Sequence, residues 1–205
     1  MGQEKTCRLR FGKKLTEGKA LLESEALIFR GKDLRLKIPF RQMSEIEAKD
    51  GWLRLNFSEG AAAFELGGHA VKWAEKIRNP KSLIDKLGIK PGMTVYFHAA
   101  PATYLTEVGQ LPDGVFTAKK LNRPVDFMHM FYKRRADLED DTVLFQQYLE
   151  VNGILWVSWP KKASKVETDV TESTLREVLL PLNLVDIKVA AIDDTWSGLK
   201  FVWRR

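Results

Sequence analysis

One cysteine in 205 residues leaves no intrachain disulfide, so the fold has to be held by burial and hydrogen bonding. That usage fits a reducing compartment, and a cytoplasmic protein is expected. Cys7 has no neighbouring His/Asp constellation and reads as a small residue near the terminus, not a reactive thiol. Long apolar runs are also missing. No segment approaches the roughly 18 consecutive apolar residues a membrane span needs, and Met1-Gly2-Gln3-Glu4-Lys5 opens no signal-peptide apolar region. Histidine is scarce: His69, His98 and His129 lie too far apart for metal-ligand spacing. Basic tracts and recognisable nucleic-acid modules are absent, so nucleic acid is not an expected partner.

What is present is ordinary globular composition, 44% hydrophobic and 29% charged. The net charge is +6, and the excess is uneven. The first 80 residues carry 16 Lys and Arg against 11 Asp and Glu, and the remainder 17 against 16. The basic residues are spread out, which permits weak attraction to acidic surfaces without demanding it.

The stretch Gly153-Ile154-Leu155-Trp156-Val157-Ser158-Trp159-Pro160-Lys161-Lys162 organises the chain. Apolar residues run through it without alternation, as in a strand covered on both faces. A buried helix segment is the competing reading. Gly153 and Pro160 favour a strand, since both residues bound strands readily.

Before it, Thr16 to Gly67 is a series of short β-rich runs: Ala26–Phe29, Leu34–Ile38, Trp52–Phe57 and Ala61–Leu66, separated by turn residues such as Asp50-Gly51. Their spacing suggests a small barrel or sandwich. The period changes at His69, where Ala70, Val71, Trp73, Ala74 and Ile77 fall at helical spacing until Asn79-Pro80. Meander strands followed by one amphipathic helix resemble, in architecture only, the pleckstrin-homology-like fold. That resemblance implies phosphoinositide or peptide binding, for which Arg8, Arg10, Lys13, Lys14 and Lys19 are the available cations; a solvated basic face explains them as well. The expected division is residues 1–80 as this α+β domain and 81–205 as a second domain.

Beyond Asn79-Pro80, Ser82–Gly88 reads as a short capped helix and Ile89–His98 as a turn and strand. Then follow a helix at Thr103–Val108, strands at Val115–Ala118 and Val125–Phe131, a helix at Arg135–Glu150, the organising strand, a helix at Thr171–Leu180, and a hairpin of Val185–Ile192 with Leu199–Trp203. Alternation of this kind requires right-handed crossovers and a mostly parallel sheet. The closing antiparallel hairpin looks like the end of a methyltransferase-like Rossmann domain.

Ligands of such sheets sit beyond the carboxyl ends of the strands. Those ends are His98-Ala99-Ala100-Pro101, Lys119-Lys120, Tyr132-Lys133-Arg134, Trp159 to Lys165, and Asp193 to Gly198. S-adenosylmethionine or NAD, bound in the usual way, needs glycines after the first strand and an acid after the second. The sequence supplies alanines and proline at the first place and lysines at the second. Which cofactor, if any, is bound stays unknown.

The blocks Trp159-Pro160-Lys161-Lys162 through Thr168-Asp169, and Ile187-Lys188-Val189 through Asp194-Thr195-Trp196-Ser197-Gly198-Leu199, resemble a bacterial family of uncharacterised function over most of 81–205. The resemblance implies a methyltransferase-like fold with no assigned activity. From the residues, Lys161, Lys162 and Lys165 could bind an anionic group beside Asp193 and Asp194, with Trp196, Ser197 and His98 close by. A structural ion-pair network closing the sheet edge explains the same residues. His129, inside an apolar strand, is expected to be a satisfied core imidazole. The expected function is a non-catalytic binding or scaffold protein for an anionic small molecule or a protein partner. The alternative is an enzyme, an atypical S-adenosylmethionine-dependent methyltransferase or a transferase acting on an anionic substrate.

Overall fold

The computed structural model describes residues 3–205, which form two compact units, one ending at Lys81 and one spanning Ser82–Arg205. The first contains β1 (Gln3–Phe11), β2 (Lys14–Leu22), β3 (Ala26–Gly31), β4 (Arg35–Pro39), β5 (Ser44–Lys49), β6 (Trp52–Phe57), β7 (Gly60–Glu65) and helix α1 (Ala70–Arg78). The seven strands make one antiparallel sheet in the order β4-β3-β2-β1-β7-β6-β5, with β4 and β5 at its edges. Alternate residues of the strands face one core of Leu9, Leu27, Phe29, Ile38, Leu53 and Phe64. Helix α1 adds Trp73, which is fully buried. Strands β1, β2 and β5 have no named counterpart among the sequence expectations. Their outer faces carry Thr6, Arg8, Arg10, Lys14, Glu17, Lys19, Glu45 and Glu47, so few apolar positions mark the alternation.

The second unit contains α2 (Leu83–Leu87), β8 (Thr94–His98), α3 (Tyr104–Val108), β9 (Phe116–Ala118), β10 (Val125–Phe131), α4 (Arg135–Asp140), α5 (Thr142–Tyr148), β11 (Leu149–Pro160), α6 (Glu172–Leu179), β12 (Leu184–Ala191) and β13 (Trp196–Trp203). The sheet order is β9-β8-β10-β11-β13-β12. Strands β9, β8, β10 and β11 run parallel; β13 is antiparallel to β11 and to β12. A parallel sheet whose penultimate strand is reversed by a closing hairpin is a mixed α/β, methyltransferase-like Rossmann arrangement.

The stretch Leu155–Pro160 is buried throughout and lies between β10 and β13, as a strand covered on both faces must. Strand β11 begins at Leu149, earlier than Gly153, because the register with β10 shifts between the Val125–Leu149 and Phe127–Ile154 pairs. The helix expected over Arg135–Glu150 is two helices. It breaks at Asp141, whose backbone (φ −86, ψ 0) leaves the helical region while its carboxylate accepts the Tyr132 hydroxyl at 2.9 Å. Thr171 caps α6 by accepting the Thr174 N–H at 3.2 Å.

Two packing details fix the centre of this sheet. The Trp156 indole N–H donates to the Leu87 carbonyl at 2.9 Å. His129 is fully buried between Tyr104 and Ser158, with Nδ1 2.5 Å from the tyrosine oxygen and Nε2 2.7 Å from the serine oxygen. Burial pushes its pKa down to about 3, so the ring is neutral: one nitrogen donates and the other accepts. Both hydroxyls can take either role, and every polar atom of the triplet has a partner. Gly198 packs directly over this triplet, since a Cβ there would lie 2.8 Å from Ser158 Oγ.

Candidate functional site

Strand order reverses direction between β8 and β10: from β8 the chain moves outward to β9, then crosses back to the other side. Loops leaving two such neighbours splay apart, and the crevice between them is where open α/β sheets hold ligands. A cavity of about 1060 Å³ lies there. Ala99 and Pro101 come to it from the loop after β8, Phe131, Lys133 and Arg134 from the end of β10, Asp137 from α4, Val166 to Asp169 from the loop after β11, and Thr195 and Trp196 from the closing hairpin.

Its floor is aromatic, with Phe131 edge-on to Trp196 at a centroid separation of 5.2 Å. Its rim is polar and tied together. The Thr168 hydroxyl donates to the Lys133 carbonyl at 2.8 Å, the Asp169 N–H donates to the same carbonyl at 3.2 Å, and the Arg135 N–H donates to Asp169 Oδ1 at 2.6 Å. These bonds hold the loop after β11 against the end of β10. Arg134 is engaged with Asp137, Nε to Oδ2 at 2.9 Å and Nη2 to Oδ1 at 2.5 Å. The Lys133 ammonium and the Glu167 carboxylate have no ionic partner among the described residues. The cavity therefore offers an apolar floor, one uncommitted cation, one uncommitted anion and the side chain of Thr195.

Of the residues singled out from sequence, Trp196 lines this cavity and is 7% exposed. Lys161 and Asp193 do meet, as a backbone tie: the Lys161 ammonium donates to the Asp193 carbonyl and the Lys161 N–H to the Thr195 carbonyl. The Asp193 carboxylate accepts the Thr195 and Trp196 N–H groups, both at 2.6 Å, and shapes the hairpin turn. Asp194 is exposed in that turn, and Ser197 pairs with Trp159 in the ladder. Lys162 opens a single 3-10 turn that Lys165 ends in the left-handed region (φ 58); both are exposed. His98 lies with Nε2 3.3 Å from Asp141 Oδ2, its ring tilted against Tyr96 and Tyr132. Burial, then the Asp141 charge, raises the pKa of Tyr132, so that its hydroxyl stays a donor.

Lys133, Glu167 and Thr195 were the less obvious members. Lys133 had one signal, its place directly after a β-rich run, and Thr195 had its place in the last strand-end segment; Glu167 had none, because it enters through loop folding.

The ends of the first two strands bear on S-adenosylmethionine. After β8, Ala99 takes a left-handed turn (φ 49), and Ala99 and Pro101 put side chains into the cavity wall where glycines would let a ligand approach backbone. After β9 come the exposed Lys119 and Lys120, not an acid that accepts ribose hydroxyls. The residues at these two positions do not supply the usual cradle.

The sheet places the second unit in the class of methyltransferase-like Rossmann domains. No family model matches the sequence, so the expected membership of an uncharacterised bacterial family finds no support. No curated protein matches it. Among solved structures, the chain is similar to a fibrillarin pre-rRNA processing protein of Methanococcus jannaschii, with 12% identity and a TM-score of 0.45 over 100% of this chain and 99% of that one. It is also similar to DhpI in a structure of its SAH complex, with 12% identity and a TM-score of 0.45 over 66% and 89% of the two chains. A putative type 11 methyltransferase from Sulfolobus solfataricus gives 15% identity and a TM-score of 0.39 over 60% and 90%. Similarity at this level leaves activity and substrate open, and the class rests on the sheet itself. No helix among the described residues is long and apolar enough to cross a membrane.

Proposed function

We propose that the second unit takes a small anionic ligand in the cavity at the point where strand order reverses, with Lys133 as its cation and Phe131 and Trp196 as its apolar floor. The observation that carries this is the coincidence of a roomy cavity, an uncommitted lysine and the strand-order reversal in one place. Two uses of such a ligand follow. The strand order, with its reversed penultimate strand, weighs toward an enzyme, a transferase acting on an anionic substrate. The alanine-proline turn after β8 and the lysines after β9 weigh toward a non-catalytic binding or scaffold protein in which the cofactor cradle has degenerated. We place the enzyme first, with a donor group held otherwise than S-adenosylmethionine usually is.

The seven-stranded order and helix α1 support reading the first unit as pleckstrin-homology-like. Three of its five basic residues are engaged, since Arg8 pairs with Glu65, Lys19 with Glu4 at 3.0 Å, and Arg10 lies over Trp52 at 5.7 Å, which leaves Lys13 and Lys14. A phosphate site there finds little support.

A thermal-shift screen with S-adenosylmethionine, nucleotides and phosphorylated sugars tests the proposal. An anionic compound is expected to raise the melting temperature, and Lys133→Glu to abolish the rise. Stabilisation that survives Lys133→Glu contradicts the assignment of the site. Turnover of the stabilising compound in the presence of a donor identifies the enzyme; stabilisation with no turnover identifies the binding protein.

A further inference from the structure

The edge strand β9 presents a second surface, independent of the cavity. It pairs with β8 on one side, with Phe116 beside Thr94 and Ala118 beside Tyr96, and the Phe116 N–H donates to the Met93 carbonyl at 2.9 Å. Backbone groups of a strand alternate in direction, so the N–H and C=O of Thr117 point away from β8 toward the open edge. Phe116 is 56% exposed, a large apolar side chain beside an unpaired edge. The Arg123 guanidinium lies 5.3 Å from the centre of its ring. Lys119 and Lys120 follow directly, exposed and without an ionic partner among the described residues. Together they surround a shallow depression of about 660 Å³.

Lysines beside a short edge repel other copies of the same strand, which is how many proteins keep such edges from self-pairing. A second copy of this chain would bring the same three cations face to face, and the chain as a whole carries +6. An acidic chain meets the opposite situation: its carboxylates are attracted by the cations, its backbone finds the Thr117 donor and acceptor, and an apolar side chain covers Phe116. We propose that the edge of β9 docks an extended acidic segment of a partner protein, added as a further strand beside Thr117.

Fluorescence anisotropy with a labelled peptide of about ten residues alternating Glu and Val tests this, with a Lys/Val peptide and a single-stranded oligouridylate of similar length as the competing probes. The Glu/Val peptide is expected to bind saturably, and Lys119→Glu with Lys120→Glu to weaken it at least about tenfold. Thr117→Pro removes the outward N–H and is expected to weaken binding several-fold, whereas Thr117→Ser leaves it unchanged. Circular dichroism verifies that each variant is folded. In the wild-type protein, slowed hydrogen exchange at the Thr117 amide on peptide addition reads the same contact without a substitution. Failure of the Glu/Val peptide to bind, an unprotected Thr117 amide in its presence, or tighter binding of the oligouridylate through the same lysines overturns the proposal.

Discussion

The two units place their unpaired cations differently. In the first, Arg8 pairs with Glu65, Lys19 with Glu4 and Arg10 lies over Trp52, while Lys14, Lys37 and Arg54 stand exposed along the strands with no ionic partner among the described residues. In the second, Lys133, Lys119 and Lys120 stand at the ends of strands with no such partner among the described residues. Antiparallel neighbours put side chains opposite one another along their whole length, so charges can be matched there. Parallel strands end in loops that diverge, and there some charges, such as Arg134 with Asp137, find partners while Lys133 does not. The first unit holds most of the basic excess and its Arg54 lines a cavity of about 630 Å³, yet the uncommitted cation at a strand-order reversal is in the second. Net charge is therefore a poor guide to a site, and strand ends are a better one.

The buried tryptophans give the strongest test of this contrast. Trp73 in the first unit has no hydrogen-bond partner for its indole nitrogen, while Trp156 in the second donates to Leu87. Alanine at either place is expected to cost about 3–5 kcal/mol in its own unit. Phenylalanine separates them: Trp156→Phe leaves a buried carbonyl unpaired and should cost about 1–3 kcal/mol more than Trp73→Phe, read by urea denaturation. Equal costs would contradict a stabilising Trp156–Leu87 hydrogen bond.

Gly198→Ala comes next. The new methyl would sit 2.8 Å from Ser158 Oγ and 3.1 Å from the Trp156 ring, both fully buried, so the sheet must open or the His129 triplet must shift. A loss of about 1–3 kcal/mol is expected in the second unit's transition, with the first unit's unchanged.

The pH dependence sharpens the difference further. His129 stays neutral in the folded protein down to about pH 3, whereas the unfolded chain takes up a proton near the ordinary value of 6.5. The unfolded state therefore binds more protons between those limits, and the stability of the second unit falls as pH falls through that window. The slope from this residue approaches about 1.4 kcal/mol per pH unit, and His129→Gln is expected to remove it. Denaturation midpoints at several pH values check the sign.

The smallest effect belongs to the first unit's surface. Arg8→Ala removes an exposed pair and is expected to change the melting temperature little, and not at all at high salt.

Much of this was legible in the sequence where burial is two-sided or alternation is strict. Val125–Phe131 and the run ending at Pro160 declare themselves by unbroken apolar residues, and α1 by its helical spacing. Strands β1, β2 and β5 did not, because exposed outer faces leave too few apolar positions. The break at Asp141 was hidden as well, since it depends on Tyr132 and His98, which lie on other elements. The candidate site was half legible. The rule of carboxyl ends led to Trp196, and to Lys133 and Arg134 as a strand end. It could not show that Lys161 and Asp193 are consumed by backbone carbonyls and N–H groups, because hydrogen bonds of a turn are set by coordinates and not by residue type.

The proposed ligand of the second unit sits at the β8–β10 crevice. The most direct measurement is a titration of the isotope-labelled protein with the best anionic compound from the thermal screen, following the Trp196 indole and Thr168 amide resonances. Both are expected to shift saturably with one affinity, the shifts to vanish in Lys133→Glu, and Lys161→Ala to leave them in place. Shifts confined to other residues, or shifts at Trp196 and Thr168 that persist in Lys133→Glu, would contradict that placement.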